Sequence, residues 1–125
     1  MGRFLPPDPS AGDPNTIGGY RAVHARPAAF EGKDGVSYSV EIVVDDTGEA
    51  PRPYSAYLLF VRWGYGDPVA AGHLETPYVV RAATEGSARD AAGAMLLSDA
   101  RRLLDQCIAN DEPPARPWYE AMQDD

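Results

Sequence analysis

The segment Tyr54-Ser55-Ala56-Tyr57-Leu58-Leu59-Phe60-Val61-Arg62-Trp63 has the composition of a β-strand, and as a strand it is apolar on both sides. Successive strand side chains point to opposite faces, so Tyr54, Ala56, Leu58 and Phe60 line one side and Tyr57, Leu59, Val61 and Trp63 the other. A sheet built around such a strand needs cover on both faces, and the chain offers one strongly amphipathic helix, enough for one. The second face is therefore expected to be closed by a tail of this chain or by another polypeptide.

The other elements follow from periodicity and turn chemistry. Ala28 to Glu31 reads as a short strand, and Gly32-Lys33-Asp34-Gly35 as the turn of a hairpin. Val36, Tyr38, Val40, Ile42 and Val44 alternate with Ser37, Ser39, Glu41 and Val43, the pattern of a strand with one wet face. Asp45 to Pro53 reads as a loop, and Gly64 to Pro68 as a turn. Val69 to Thr76 gives a fourth strand, which continues past Pro77 to Val80 with a break or bulge at the proline. Thr84 or Ser87 offers a helix N-cap, and Ala88, Ala92, Met95, Leu96, Leu103, Leu104, Cys107 and Ile108 recur at three- and four-residue steps. The expected fold is an α+β two-layer sandwich. It has an antiparallel sheet of about four strands in β-β-β-β-α order, with one long C-terminal helix on one face.

Proline and glycine divide the chain. Residues 1–26 are expected to be an irregular N-terminal arm, 27–110 the α+β domain, and 111–125 an acidic Pro-rich tail carrying Trp118 and Tyr119. At 125 residues the chain has single-domain length.

A formal charge of -8 excludes the Lys/Arg stripe that a phosphate-backbone binder needs, so no nucleic-acid partner is expected. The start of the sequence lacks the apolar run of a signal peptide and no stretch is apolar enough to cross a bilayer, which points to the cytoplasm without membrane insertion. Ten arginines against the single Lys33 fit a GC-rich, bacterial coding bias. The lone Cys107 excludes an internal disulfide and reads as a small buried hydrophobe late in a helix.

Little of the sequence carries chemistry. His73 and Glu75 form an H-x-E pair that a strand places on one face, a spacing compatible with two metal ligands or an acid/base pair. The downstream P-C-x-x-C of zinc deaminases is absent, and His24 lies far off in sequence, so neither metal nor cofactor is expected. Asp45, Asp46 and Glu49 lack the spacing of a calcium loop, and no phosphate-binding glycine motif or nucleophile elbow occurs. Arg62 interrupts the doubly apolar strand beside Trp63, with Tyr57, Tyr65 and Tyr78 as neighbours, and mixtures of Arg and aromatics are enriched at interaction hot spots.

The run Pro27-Ala28-Ala29-Phe30-Glu31 through Asp34-Gly35 and Tyr38-Ser39-Val40 resembles the opening hairpin of HicB-like antitoxin domains, and Thr84 to Leu104 resembles their helix. The long strands and loop between them depart from that pattern, so neither residues nor activity carry over. The residues point to a non-catalytic interaction module that contacts itself or a larger assembly. Its contact residues would be Tyr57, Leu59, Val61, Arg62, Trp63, Trp118 and Tyr119. The alternative is a small enzyme or ligand-binding protein with a pocket around Arg62, Trp63, His73 and Glu75.

Overall fold

A computed structural model describes residues 9–63 and 70–111. The chain forms an α+β two-layer sandwich. After a 3₁₀ turn at Pro9–Ala11, the order is α1 (Ile17–His24), β1 (Ala29–Glu31), β2 (Ser37–Asp46), β3 (Tyr54–Trp63), β4 (Ala70–Glu75), β5 (Val80–Ala82), α2 (Glu85–Gly93) and α3 (Leu97–Asp111). The sheet is antiparallel, in the order β1-β2-β3-β4, with β5 also paired to β3. No helix among the described residues is long and apolar enough to cross a membrane.

The hairpin turn forms where glycine and aspartate chemistry places it. Gly35 adopts φ 79°, its N–H donates to the Gly32 carbonyl at 2.9 Å, and Asp34 Oδ1 accepts from the Val36 N–H at 3.1 Å. From there β2 pairs with β3 over nine positions, Tyr38↔Arg62 through Asp46↔Tyr54. That register keeps even-numbered residues opposite one another and so preserves the two faces.

β4 and β5 are two halves of one interrupted strand running along the same side of β3. The ladder passes Leu59↔Glu75 and resumes at Ala56↔Val80, so four residues, 76 to 79, stand opposite two. Pro77 has no N–H for the ladder. Thr76 and Val79 supply the backbone donors instead, to the carbonyls of Leu58 and Ala56, and Thr76 Oγ1 accepts from the Leu58 N–H at 3.0 Å. The proline thus marks a bulge, as the sequence predicts.

All three helices lie on one face of the sheet. Ile17 of α1 and Ala100, Leu104 and Ile108 of α3 meet Tyr38, Val40, Leu58, Phe60 and Leu74. Ala88 and Ala92 of α2 meet Ala56. Every strand residue in these clusters is even-numbered, and Tyr38, Ala56, Leu58 and Phe60 are 0% exposed.

Two features differ from expectation. Residues 17–24 lie within the span expected to be an irregular arm, yet they form a helix with Ile17 and Val23 buried. Thr16 caps it, Oγ1 accepting from the Gly19 N–H at 3.0 Å. The expected long helix is also two helices, broken at residues 94–96, and α1 causes the break. The Met95 carbonyl accepts from the Ile17 N–H at 3.0 Å, Thr16 and Leu96 form an isolated bridge, and the Leu97 N–H donates to the Asn15 carbonyl at 2.7 Å. Backbone groups that a continuous helix would bond internally are spent on α1. The C-terminal tail, 112–125, and the turn at 64–69 fall outside the described residues.

β2 outruns its outer neighbour. β1 covers only Ser37 to Ser39, and among the described residues no strand pairs with the outer edge of residues 41–46. Arginines close that edge. Arg89 of α2 donates to the Ile42 carbonyl at 3.1 Å, and Arg21 of α1 pairs with Glu41 at 2.7 Å.

Candidate functional site: the second sheet face

Odd-numbered residues of β2, β3 and β4 form the face opposite the helices, and the register arranges them in rows. Glu41, Leu59 and Glu75 make one row, Ser39, Val61 and His73 the next, while Val43 stands opposite Tyr57 and Asp45 opposite Ser55. The centre is an apolar strip of Val43, Tyr57, Leu59, Val61 and Trp63, and both flanks are polar. No residue of the strip is buried, and Trp63 is 37% exposed. The two faces of one strand therefore differ sharply: Leu58 and Phe60 are sealed by helices while Leu59 and Val61 remain half-buried.

Hydrogen bonds fix the ends of the strip. Trp63 Nε1 donates to Ser39 Oγ at 3.0 Å, which lays the indole across β2 and buries Ser39. At the other end the bulge pushes Tyr78 outward until its hydroxyl donates to Asp45 Oδ2 at 2.7 Å and its ring meets Tyr57 edge-on, centroids 6.1 Å apart. The hydrogen bond to Asp45 holds the Tyr78 hydroxyl above its ordinary pKa. Desolvation, with Glu75 and Asp45 nearby, does the same for Tyr57. Both phenols stay protonated donors at neutral pH, flanking a shallow depression of about 330 Å³.

Tyr57, Leu59, Val61 and Trp63 thus come together as the sequence predicts, and Arg62 does not join them. It projects to the helix side, where its Nε donates to the Tyr38 hydroxyl at 2.9 Å and its guanidinium carbon sits 5.4 Å from the Tyr38 ring centroid. The strand period alone separates Arg62 from Trp63, and a pocket joining Arg62, Trp63, His73 and Glu75 is not formed. Ser39 and Val43, read from the sequence as the wet face of β2, and Asp45, read as the start of a loop, join this face although none is among the expected contact residues. Trp118, Tyr119 and Tyr65 lie outside the described residues.

His73 and Glu75 do meet, Nε2 to Oε2 at 3.2 Å, with both side chains about half exposed. No cluster of three or more metal-ligating side chains occurs among the described residues. Cys107 donates to the Glu75 carbonyl at 3.5 Å from beneath β4, and burial pushes its thiol pKa up, the opposite of an activated nucleophile.

A groove of about 650 Å³ lies elsewhere, between α1, α2 and the edge of β2. Its cations already have partners: Arg21 holds Glu41, and Arg89 holds the Ile42 carbonyl and Glu85. Small residues such as Gly12, Gly19 and Ala22 line much of the rest. No family model matches the chain, and no curated protein or solved structure does either.

Proposed function

We propose that this protein is a non-catalytic protein–protein interaction module whose contact surface is the strip Tyr57, Leu59, Val61 and Trp63. It would associate with a copy of itself or join a larger assembly. One observation carries the reading: among the described residues, three helices cover one side of a strand that is apolar on both, and none covers the other. Full burial of a large apolar side chain contributes roughly 1.5–3 kcal/mol, so these four partly exposed side chains hold back a share of that driving force. Its aromatic centre and polar flanks have the composition of an interface, where a few anchors supply most of the energy. The net charge of -8 turns the choice of partner from nucleic acid toward protein. Cytoplasmic residence belongs to the same proposal, since the one cysteine is a free, half-buried thiol compatible with a reducing compartment.

Light scattering over a concentration series tests the reading. The expected result is a mass that rises above the 13.5 kDa monomer and falls back in Leu59→Glu. A chain that stays monomeric throughout, with Trp63 as open to acrylamide as free indole, overturns it.

A further inference from the structure

The helix that leads into the C-terminal tail lies on the face opposite the strip, against the β4 edge of the sheet. α3 runs along β4, with Cys107 against the Glu75 carbonyl, and its last turns sit over the end of the sheet that holds Trp63. Two contacts establish that end. Asp105 Oδ1 accepts from the Lys33 N–H at 3.1 Å in the β1–β2 turn, and Ile108 packs beside Gly32 and Tyr38, the residue opposite Arg62. Asn110 and His73 border the same crevice at the β4 edge, and His73 stands opposite Val61 on the strip. The chain thus leaves its last described helix at the β4 edge, at the Tyr38–Arg62 end of the sheet and on the face opposite Val61.

We propose that the segment after α3, residues 112–125, crosses the β4 edge and lays Trp118 and Tyr119 on the strip of its own chain. This rests on the strip being a contact surface and names its occupant in the isolated protein. Chain length allows it. Seven residues lead from Glu112 to Trp118, and with Pro113, Pro114 and Pro117 among them they favour an extended path of roughly 3.1 Å per residue, about 22 Å in all. Layers pack about 10 Å apart, so passing from the helix layer to a segment on the far face takes about 20 Å at most, with about 5 Å for one strand spacing. The reach of the segment matches that path, and the Trp118 side chain itself spans the last few ångströms to Val61.

Composition agrees with the path. The prolines keep the segment from extending α3 and lower the entropy lost on docking. Arg116 would pass the acidic flank at Glu75, and Asp124 and Asp125 would reach toward Arg81, which pairs with Ser55 at the far end of the face. Trp118, Tyr119 and Met122 supply the apolar matter the strip lacks. A partner protein using this face would then have to displace the segment, so the tail sets the threshold for association.

The test uses full-length chains in which Trp63 is the sole tryptophan, Trp118→Phe as the reference and the pair Trp118→Ala with Tyr119→Ala as the probe, both at dilutions where light scattering reports a monomer. Acrylamide quenching of Trp63 is expected to rise severalfold in the alanine pair, with far-ultraviolet circular dichroism unchanged. Equal quenching in the two chains overturns the proposal, and so does a dimer in the reference that the alanine pair dissociates, because the tail then docks on a neighbour. At higher concentration the two readings separate. An alanine pair that opens Trp63 and associates more readily than the reference supports both. One that opens Trp63 yet stays monomeric keeps the tail contact and removes the interaction module.

Discussion

The Tyr38 hydroxyl donates to Asp34 Oδ2 at 2.7 Å, tying the second strand of the hairpin to its own turn. The same hydroxyl accepts from Arg62, so a phenol buried at the end of the core is satisfied on both sides. Partial burial pushes the Asp34 carboxyl up, but the hydrogen bonds from Tyr38 and the Val36 amide and the charge of Arg62 outweigh it, and its pKa lies below the ordinary 3.8. A carboxylate depressed in the folded state stabilises the fold above its unfolded pKa and loses that contribution as pH falls through the folded value. Asp34→Asn is therefore expected to flatten the acid limb of the stability curve below about pH 4, read by urea melts at successive pH values. Tyr38→Phe is expected to cost about 1 kcal/mol at neutral pH, the usual worth of a buried hydrogen bond.

Leu58 and Leu59 are neighbours of identical chemistry with opposite surroundings. Leu58→Ala empties a fully buried site and is expected to cost about 2–5 kcal/mol. Leu59→Ala, on the half-exposed face, is expected to cost under about 1 kcal/mol in the Trp118→Ala, Tyr119→Ala chain, whose second face is uncovered, and more in the wild type. Denaturant midpoints measure both, and a Leu59→Ala cost approaching that of Leu58→Ala would mean that the strip is already closed.

Gly18 and Gly93 touch where α1 crosses α2: a Cβ on Gly18 would stand 3.2 Å from the Gly93 Cα. Gly19 is tighter still, since its Cβ would overlap the Asp13 carbonyl oxygen. Alanine gains up to about 1 kcal/mol over glycine in a helix, and a backbone clash reverses that sign. Gly19→Ala is expected to lower the melting temperature and Gly18→Ala to do so less. Gly86→Ala in α2, with nothing within 4 Å of its Cβ, is expected to raise it.

Burial raises the Cys107 pKa, so the native thiol is expected to react slowly with a disulfide reagent at pH 8. The rate should rise steeply when urea unfolds the chain, and fast labelling of the native protein would contradict the placement of Cys107 under β4.

Much of the fold is legible because β2 and β3 announce their faces by parity. Tyr38 and Val40 are read as the apolar face of β2 from the period of two, Leu58 and Phe60 as one of two apolar faces of β3 with the covered one left open, and Pro77 as a break or bulge from its missing donor. α1 is not legible, because Gly18 and Gly19 read as loop and their value lies in a close approach to Gly93 and Asp13 that only the tertiary structure creates. Nor is the break between α2 and α3, since Met95 and Leu96 continue the helical spacing and only the backbone of Asn15 to Ile17 interrupts it. Arg62 shows the reverse case. The period assigns it to the helix side, and its neighbour Trp63 draws it onto the strip in a reading by proximity.

The guarded edge of β2 limits how this molecule can grow. A strand edge left open invites a second sheet to continue the first, and repeated addition has no natural end, which is how fibres start. Here Arg89 occupies the Ile42 carbonyl and the Arg21–Glu41 pair stands alongside, so an arriving strand must break charged contacts before it gains its first hydrogen bond. Contact through the opposite layer has no such repeat built into it. Two copies meeting there would consume each other's apolar surface, and assembly would stop at a countable number of subunits.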